Sequence, residues 1–375
     1  MNSYKKIKLT DFVHMNPTER LPKGTVARKI SMDQIEPYKK FVFSTNYEPY
    51  SGGAKFRNGD TIMARITPCL ENGKTAFVSG LAENEIAFGS TEYIVLRAKE
   101  NISIPDFVYY LTVSSIVREP AIKSMVGSSG RQRVQQSVLD ELEIPLFSLA
   151  DQQHIVDILG TLDNQIENNQ QIIQKYEKLM ELYFDNLLSE KSEDWEDASL
   201  LDIAEYINGL AMQKYRPKGA EYLPVVKIKE LSQGHVDSNS EQADIAIDEK
   251  NIIDDGDVVF AWSGTLMVKI WCGGKAGLNQ HLFKVTSQKY PAWFVYLWTK
   301  HHLIKFQNIA KGKAVTMGHI KREDLKNSDV FIPPNEDFIK YNDMIKPIFD
   351  KIIIMHQENR KISELKSLYL QKFFG

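Results

Sequence analysis

Residues 155–187 read IVDILGTLDNQIENNQQIIQKYEKLMELYFDNL. Apolar residues recur there at alternating spacings of four and three, which is typical of a coiled-coil seam rather than of a broad amphipathic face. The seam positions are Ile155, Leu159, Leu162, Ile166, Asn169, Ile173, Tyr176, Met180, Tyr183 and Leu187. Because so narrow a stripe cannot form a core by itself, the spacing predicts a long helix that buries its seam against a partner helix.

The same series of seam positions, which we call a ladder, recurs near the end of the chain, at Tyr341, Ile345, Ile348, Ile352, Met355, Asn359, Ile362, Lys366, Tyr369 and Phe373. Lys366 interrupts its apolar character. Since the chain supplies both helices, we expect them to pair antiparallel, and a centre-on-centre pairing places Asn169 opposite Asn359, where a buried Asn pair would fix the register. Two alternatives stay open: each Asn faces solvent, or residues 167–169 align with residues 358–359 and the register shifts by about one turn.

Landmarks in the first half of the chain recur in the second. Gly59-Asp60 opens an apolar run at residues 61–64, and Gly256-Asp257 opens another at 258–261. An Ile-Pro pair, at 144–145 and at 332–333, precedes each long helix. The repeat predicts a globular domain at 1–147, a spacer helix at 148–190, a second globular domain at 191–334 and a second spacer helix at 335–375, with the charged, Ser-containing segment 189–194 as the boundary after the first helix.

Each globular domain has the pattern of a mixed α/β fold. In the first, residues 76–78 and 93–96 are predicted as strands, 72–73 as a turn and 107–117 as a helix. In the second, residues 225–228, 258–260 and 282–285 are predicted as strands and 293–304 as a helix. The expected fold is therefore α+β or mixed: two α/β domains joined by two long helices that form an antiparallel coiled coil, with an internal pseudo-twofold repeat.

Charge is distributed unevenly along the chain. The net charge is −3, but residues 149–197 hold 12 Asp and Glu against 3 Lys and Arg, so the remainder is net basic. Contacts with phosphate are therefore expected on the globular domains and not on the first helix. Two cysteines, Cys69 and Cys272, indicate a reducing compartment, and neither a signal sequence nor a membrane-length apolar stretch is evident, so we expect a cytoplasmic protein with no membrane partner.

Motifs for catalysis are absent from the sequence. Gly73-Lys74-Thr75 resembles the end of a phosphate-binding loop, but Pro68 stands where that loop needs glycine. Neither a dinucleotide-binding Gly pattern after a strand nor a His-Glu-x-x-His motif occurs, and the adjacent His301 and His302 would point apart on a helix. We expect no catalytic residue, no metal site and no cofactor in this chain.

Donor-rich loops occupy matching places in the two halves, GSSGRQR at 127–133 and KGKAVTMGHIK at 311–321. Either loop alone would usually be solvated surface, but their recurrence favours contacts with phosphates and base edges. The candidate DNA-binding residues are Arg65, Thr67, Lys74, Ser128, Arg131, Gln132 and Arg133 in the first half, and Trp262, Ser263, Asn279, Gln280, Lys311, Lys313, Thr316 and His319 in the second. Alternatively, residues 279–281 are buried and structural, and Trp262 belongs to the core.

The sequence resembles a known family in both halves. The segments that carry the resemblance are FRNGD (56–60), ITPCLENGK (66–74) and FGSTEY (88–93) in the first domain, WSG (262–264), LNQHLFKV (278–285) and TMGHI (316–320) in the second, and LDNQIENN (162–169) and ENRKISEL (358–365) in the helices. They are similar to the target-recognition domains and spacer helices of the DNA specificity subunit of type I restriction-modification systems. The resemblance covers nearly the whole chain.

This resemblance implies a non-catalytic, sequence-specific DNA-binding subunit. Each recognition domain would read one half of a bipartite target in double-stranded DNA, while the helices set the spacer and dock two methyltransferase subunits. Restriction subunits would join for cleavage, and S-adenosylmethionine, ATP and Mg would belong to those partners. The competing interpretations are a degenerate specificity subunit that acts only as an assembly scaffold, and a self-contained nuclease or methyltransferase, which the missing motifs disfavour.

Overall fold

The chain folds into two units, Met1–Ile166 with Ile362–Gly375 and Glu167–Lys361, in the computed structural model. The structure describes residues 5–237, 239–312 and 319–375. Each unit contains one globular domain and one part of each long helix. The helices themselves span Leu149–Ser189 (α5) and Asn335–Phe374 (α11).

Unit 1 holds eleven strands and four short helices before α5 in the part of it that the structure describes. They are β1 (Lys6–Lys8), α1 (Leu9–Phe12), β2 (Val13–Met15), β3 (Val26–Ile30), β4 (Phe41–Val42), β5 (Tyr47–Pro49), β6 (Lys55–Phe56), β7 (Thr61–Ala64), β8 (Thr75–Val78), β9 (Ala87–Gly89), β10 (Tyr93–Ala98), α2 (Pro105–Val113), α3 (Ser115–Lys123), α4 (Gln136–Asp140) and β11 (Glu143–Pro145). A larger sheet has the order β2-β10-β7-β8-β4 and a smaller one the order β5-β3-β9-β6, while β1 pairs with β11.

Unit 2 repeats this arrangement. Its elements are β12 (Glu196–Ser199), α6 (Leu200–Ile203), β13 (Glu205–Asn208), β14 (Leu223–Val226), α7 (Ile228–Gln233), β15 (Gln242–Ala243), β16 (Ile252–Ile253), β17 (Val258–Ala261), β18 (Met267–Ile270), β19 (Ala276–Leu278), β20 (Leu282–Thr286), α8 (Ala292–His301), α9 (Leu303–Gly312), α10 (Arg322–Lys326) and β21 (Asp329–Ile332), with single 3₁₀ turns at Met212–Lys214 and Glu249–Asn251. The smaller sheet, β15-β14-β19-β16, and the pair β12-β21 match unit 1, and the larger sheet, β13-β20-β17-β18, matches the first four strands of its five-stranded counterpart. In both units the smaller sheet has one parallel pair, β3 with β9 and β14 with β19.

The Gly-Asp landmark of the repeat has the same local structure in both units. Gly59 (φ +85°) and Gly256 (φ +95°) adopt the left-handed backbone that glycine tolerates best. The carboxylate that follows accepts a hydrogen bond from the backbone N–H three residues earlier, Arg57 N to Asp60 at 2.8 Å and Asp254 N to Asp257 at 2.8 Å. A tight turn thereby delivers the chain into the buried strands β7 and β17.

The predicted helices of the globular domains are each broken in two, at equivalent places. The segment predicted as one helix at 107–117 is α2 and α3, interrupted at Ser114, whose hydroxyl donates to the Leu111 carbonyl at 2.7 Å. Serine breaks the helix here because its side chain competes for backbone partners. The segment predicted at 293–304 is α8 and α9, interrupted at His302. The predicted strand 225–228 ends at Val226, because Lys227 caps α7 and Ile228 begins it.

The two long helices run antiparallel within each unit, as the ladders predict. In unit 1, Asp163 of α5 pairs with Lys366 of α11 at 2.5 Å, and the His154 and Phe373 rings lie 6.2 Å apart. In unit 2, the Asn169 amide donates to the Asn359 side-chain oxygen at 2.9 Å, which is the contact expected from a centre-on-centre pairing. The predicted seam positions are all buried or half-buried: Ile155, Leu159, Leu162, Ile166, Asn169, Ile173, Ile348, Ile352, Asn359 and Ile362.

Replacing Asn169 and Asn359 tests whether this polar pair fixes the register of the helices while lowering the free energy of unfolding. We expect the double variant Asn169→Leu with Asn359→Leu to raise the free energy of unfolding by roughly 1–3 kcal/mol, because two apolar side chains replace a half-buried polar pair. Urea unfolding of the full chain measures this difference. A less stable double variant would contradict the idea that the pair serves register at the expense of stability.

Candidate nucleic-acid interface

A corner at the exit of β7 brings together three segments of unit 1. The backbone N–H of Arg65 donates to the Glu92 carbonyl at 2.9 Å, and the N–H of Val134 donates to the Arg65 carbonyl at 2.9 Å. Ile66 forms an isolated antiparallel bridge with Arg133. We call residues 65, 66, 92, 133 and 134 the first corner. It is the base from which the loop 127–132 projects.

Unit 2 builds the same corner at the exit of β17. The N–H of Trp262 donates to the His281 carbonyl at 3.3 Å, and the N–H of Ile320 donates to the Trp262 carbonyl at 3.0 Å. Ser263 forms an isolated antiparallel bridge with His319. Residues 262, 263, 281, 319 and 320 are the second corner. The two corners share a backbone framework and carry different side chains.

An ion pair dominates the first corner. The Arg133 guanidinium donates to both carboxylate oxygens of Glu92, with Nε at 3.0 Å from each and Nη2 at 2.7 Å from Oε1. Hydrogen bonding to Glu92, followed by its charge, raises the pKa of Arg133 above its usual value. Arg133 is 45% exposed and Glu92 23%, so the pair lies at the surface of the corner. Arg133 therefore has part of its donor capacity committed inside the protein.

Other candidates of the first half lie around this corner. Thr67 donates its hydroxyl to Glu71 at 2.8 Å, Lys74 donates to the Met32 carbonyl at 2.6 Å, and Arg65 donates Nη2 to the Val134 carbonyl at 3.3 Å. Thr67 also contacts the end of the loop, because its backbone N–H donates to the Gln132 carbonyl at 3.0 Å. The side chains of Thr67 and Lys74 thus have partners within the protein, at Glu71 and Met32.

The projecting loop carries the free donors. Ser128 and Arg131 are exposed, and Gln132 is half-buried. The structure, over the residues it describes, shows no hydrogen-bond or ion-pair partner for the Arg131 side chain. A guanidinium, a hydroxyl and an amide on one loop can bond phosphates or base edges.

Aromatic and histidine side chains occupy the second corner. The Ser263 hydroxyl and His281 Nδ1 are 2.9 Å apart, and the Trp262 ring lies 5.6 Å from Phe283 and 6.2 Å from His319. Trp262 is half-buried, consistent with its reading as a core residue. Among the described residues, neither Trp262 Nε1 nor the equivalent Arg65 Nε has a hydrogen-bond partner, although both atoms are buried. Both corners thus hold an unused donor at the same position.

The remaining second-half candidates divide between buried, surface and undescribed positions. Asn279 is 6% exposed and its side-chain oxygen accepts from the His281 N–H at 3.2 Å, so the buried alternative holds for it. Gln280 Nε2 lies 3.4 Å from His281 Nε2, and Lys311 is exposed at the end of α9. Lys313 and Thr316 lie outside the described residues.

Sequence reasoning missed Glu92 and His281 as members of the corners. Glu92 directly precedes the buried strand β10, and His281 directly precedes β20. Their positions in the two corners are equivalent because the carbonyl of each accepts a backbone hydrogen bond, from Arg65 or from Trp262. The recurrence of a polar residue directly before the strand was the available signal.

Within residues 5–237, 239–312 and 319–375, no group of three or more His, Cys, Asp or Glu is placed to hold a metal ion.

A family model described as the type I restriction modification DNA specificity domain matches the chain twice, at residues 1–178 and 192–364. The chain belongs to this family. The two matches cover both copies of the internal repeat, so each half of the chain is a DNA specificity domain in its own right.

The chain is similar to proteins named type I restriction enzyme specificity subunits. It is 25% identical over 306 residues to the type I restriction enzyme MjaIX specificity subunit of Methanocaldococcus jannaschii, covering 72% of this chain and 69% of that protein. It is 29% identical over 213 residues to the HindI specificity subunit of Haemophilus influenzae, covering 54% and 43%. A solved type I restriction-modification S subunit from M. genitalium matches the fold with a TM-score of 0.55 at 14% identity, covering 100% of this chain and 97% of that one.

None of the described helices has the length and apolar character needed to cross a membrane.

Proposed function

We propose that this chain is the sequence-specific DNA-binding subunit of a type I restriction-modification complex and is not itself an enzyme. Residues 1–147 and 191–334 each read one half of a bipartite target in double-stranded DNA, while the helices at 148–190 and 335–375 set the spacer. One observation carries the proposal: the same corner is built twice on one backbone framework, with different side chains. Two recognition domains with the same backbone framework and different side chains suit a DNA target whose two halves differ in sequence.

The distribution of charge supports the same function. Arg131 and Ser128 project on an exposed loop at the first corner, where phosphates or base edges can reach them. Residues 149–197, in contrast, are strongly acidic, with 12 Asp and Glu against 3 Lys and Arg. An acidic helix repels DNA and is free for protein partners. We therefore assign DNA contact to the loops and subunit docking to the helices.

Membership in the family supports the partners that we propose. Two methyltransferase subunits dock on the helices, and restriction subunits join the complex for cleavage. S-adenosylmethionine, ATP and Mg bind those partners. Such a complex acts on DNA in the cytoplasm. The DNA-contact set we propose centres on Ser128, Arg131 and Gln132 in the first domain, with Arg65, Thr67, Lys74 and Arg133 beside them. In the second domain it consists of Ser263, Gln280, Lys311 and His319.

Arg131→Ala tests the reading role of the first loop. We expect the variant complex to bind the cognate duplex more weakly by about 1–3 kcal/mol, with relaxed discrimination at one base pair of the first half-site, because a guanidinium that reads a base edge supplies that difference. Competition binding against cognate and single-mismatch duplexes measures it, with Lys123→Ala, a neighbouring exposed cation paired with Glu119, as the control.

Uniform weakening on all sequences would reduce Arg131 to a phosphate contact. If the unsubstituted complex itself shows equal affinity for random and genomic duplexes, the chain is an assembly scaffold and the proposed reading function is wrong.

A further inference from the structure

Glu92 is held through both its backbone and its side chain. Its backbone N–H donates to the Ser90 hydroxyl at 3.0 Å, and its carbonyl accepts from Arg65. Both carboxylate oxygens face the Arg133 guanidinium. A carboxylate that engages a guanidinium with both oxygens fixes the plane of that guanidinium as well as its position. Glu92 therefore determines where the Arg133 side chain lies.

Arg133 passes this constraint to the projecting loop. Its Nη1 donates to the Arg131 carbonyl at 3.3 Å, and its backbone pairs with Val126 across the loop ends, with both N–H to carbonyl bonds formed at 2.9 and 3.1 Å. The loop between them contains Gly127 (φ +138°) and Gly130 (φ +78°), which give it a conformational freedom that few other residues would. The Arg133 bond to the Arg131 carbonyl is thus a side-chain restraint on the segment that carries the free donors.

We propose that Glu92 is a positioning residue that sets the specificity of the first recognition domain. By clamping Arg133, it holds the loop 127–132 in one conformation for reading bases, without contacting DNA itself. This rests on the proposed function of the first domain. In the second corner, the position equivalent to Glu92 is His281, whose ring lies 2.9 Å from the Ser263 hydroxyl and carries no carboxylate. The effect is therefore confined to one half-site.

Electrostatics alone predicts the opposite outcome. A carboxylate near a DNA-binding loop repels phosphate, so its removal would strengthen binding to every sequence alike. Loss of positioning instead lowers the preference for the cognate first half-site, because a loop with several conformations pays an ordering cost before it can read bases. The two effects differ in both direction and sequence dependence.

The test selects bound duplexes from a pool randomised in both half-sites, using the full chain with its methyltransferase subunits. In Glu92→Gln, which keeps the size and removes the charge, we expect first-half-site discrimination to fall roughly tenfold or more, while discrimination at the second half-site stays unchanged. Glu141→Gln removes the same charge from an exposed ion pair with Lys8 and serves as the matched control, with no expected change. The second half-site reports on folding and assembly in the same sample.

Unchanged first-half-site discrimination, with or without tighter binding to all sequences, would overturn the proposal. If Glu92→Gln also loses the second half-site, the variant is misfolded, and Glu92→Asp decides instead. It keeps the charge but is too short for the same two-oxygen contact, so the same selective loss is expected, and its absence would reject the positioning role. Replacing residues 128–132 with Gly and Ser tests the loop itself: a chain that keeps its first half-site preference without these side chains rejects reading by the loop, and with it the role of Glu92. The proposed function fails separately, if the unsubstituted chain shows no preference for any half-site sequence.

Discussion

Lys366→Met is expected to destabilise unit 1 by about 3–5 kcal/mol, because it leaves the Asp163 carboxylate charged, buried and without its cation. Lys366 and Asp163 are 10% and 6% exposed, and the ammonium lies 2.5 Å from the carboxylate. Asp163 also accepts a hydrogen bond from the Tyr110 hydroxyl at 2.8 Å, but this neutral donor cannot balance its charge. The buried position of Tyr110 and the nearby Asp163 charge raise the pKa of its phenol well above the usual value, so it stays a neutral donor.

Urea unfolding followed by two signals isolates this effect. All five tryptophans lie in unit 2, so tryptophan fluorescence reports on that unit and far-UV circular dichroism on both. In Lys366→Met, part of the circular dichroism change should move to lower urea while the fluorescence transition moves less. Lys372→Met, at an exposed position of the same helix, should change the free energy of unfolding by no more than about 0.5 kcal/mol.

A second variant separates an unpaired charge from lost packing. The double variant Asp163→Leu with Lys366→Met should recover most of the stability, since replacing both members of a buried pair with apolar side chains is commonly neutral or stabilising. Tyr110 keeps a partner there, because Lys40 donates to its hydroxyl at 3.2 Å. A double variant as unstable as the single one would show that geometry at this seam, and not the isolated charge, is responsible.

The helices were predictable because their information is local. The alternating spacing of four and three identified both ladders, and the Asn169 to Asn359 bond follows from pairing them antiparallel with their centres aligned. In the sequence, Lys366 only interrupts the apolar spacing, because that spacing is read within one helix and does not include the residues of the partner helix. Its meaning depends on Asp163, which is adjacent to a seam position on the other helix and 203 residues away in sequence.

The corners were predictable only in part. Matching loops before each Ile-Pro located residues 131–133 and 319, and the structure brings these to the exit of a central strand in each unit. Which donors are free was beyond the sequence, because Thr67, Lys74 and Arg133 find their partners through folding. Glu92 and Arg133 are 41 residues apart, and no periodicity connects them. Helix breaks at Ser114 and His302 were missed because apolar spacing continues through them.

Insertion of one heptad into each long helix is expected to lengthen the recognised spacer by about three base pairs, since seven residues add about 10 Å of helix and a base pair about 3.4 Å. This follows from our proposal that the helices set the separation of the half-sites. The seam at 155–187 is about 48 Å long at 1.5 Å per residue, enough to span half-sites one DNA turn, roughly 35 Å, apart. A whole heptad keeps the spacing of four and three, so the seam stays in phase.

The sites for the insertions follow from the pairing. Asp163 meets Lys366 and Asn169 meets Asn359, so the junctions 166/167 and 361/362 are level with each other, and lengthening both preserves the contacts inside each unit. Methylation-site mapping of a host carrying the complex should then show both half-sites unchanged, the longer spacer between them, and no methylation at sites with the original spacing. The same seven residues placed in the linker 189–194 should leave the spacer as it was. An unaltered spacer in the double helix insertion would remove the helices from any role in setting it.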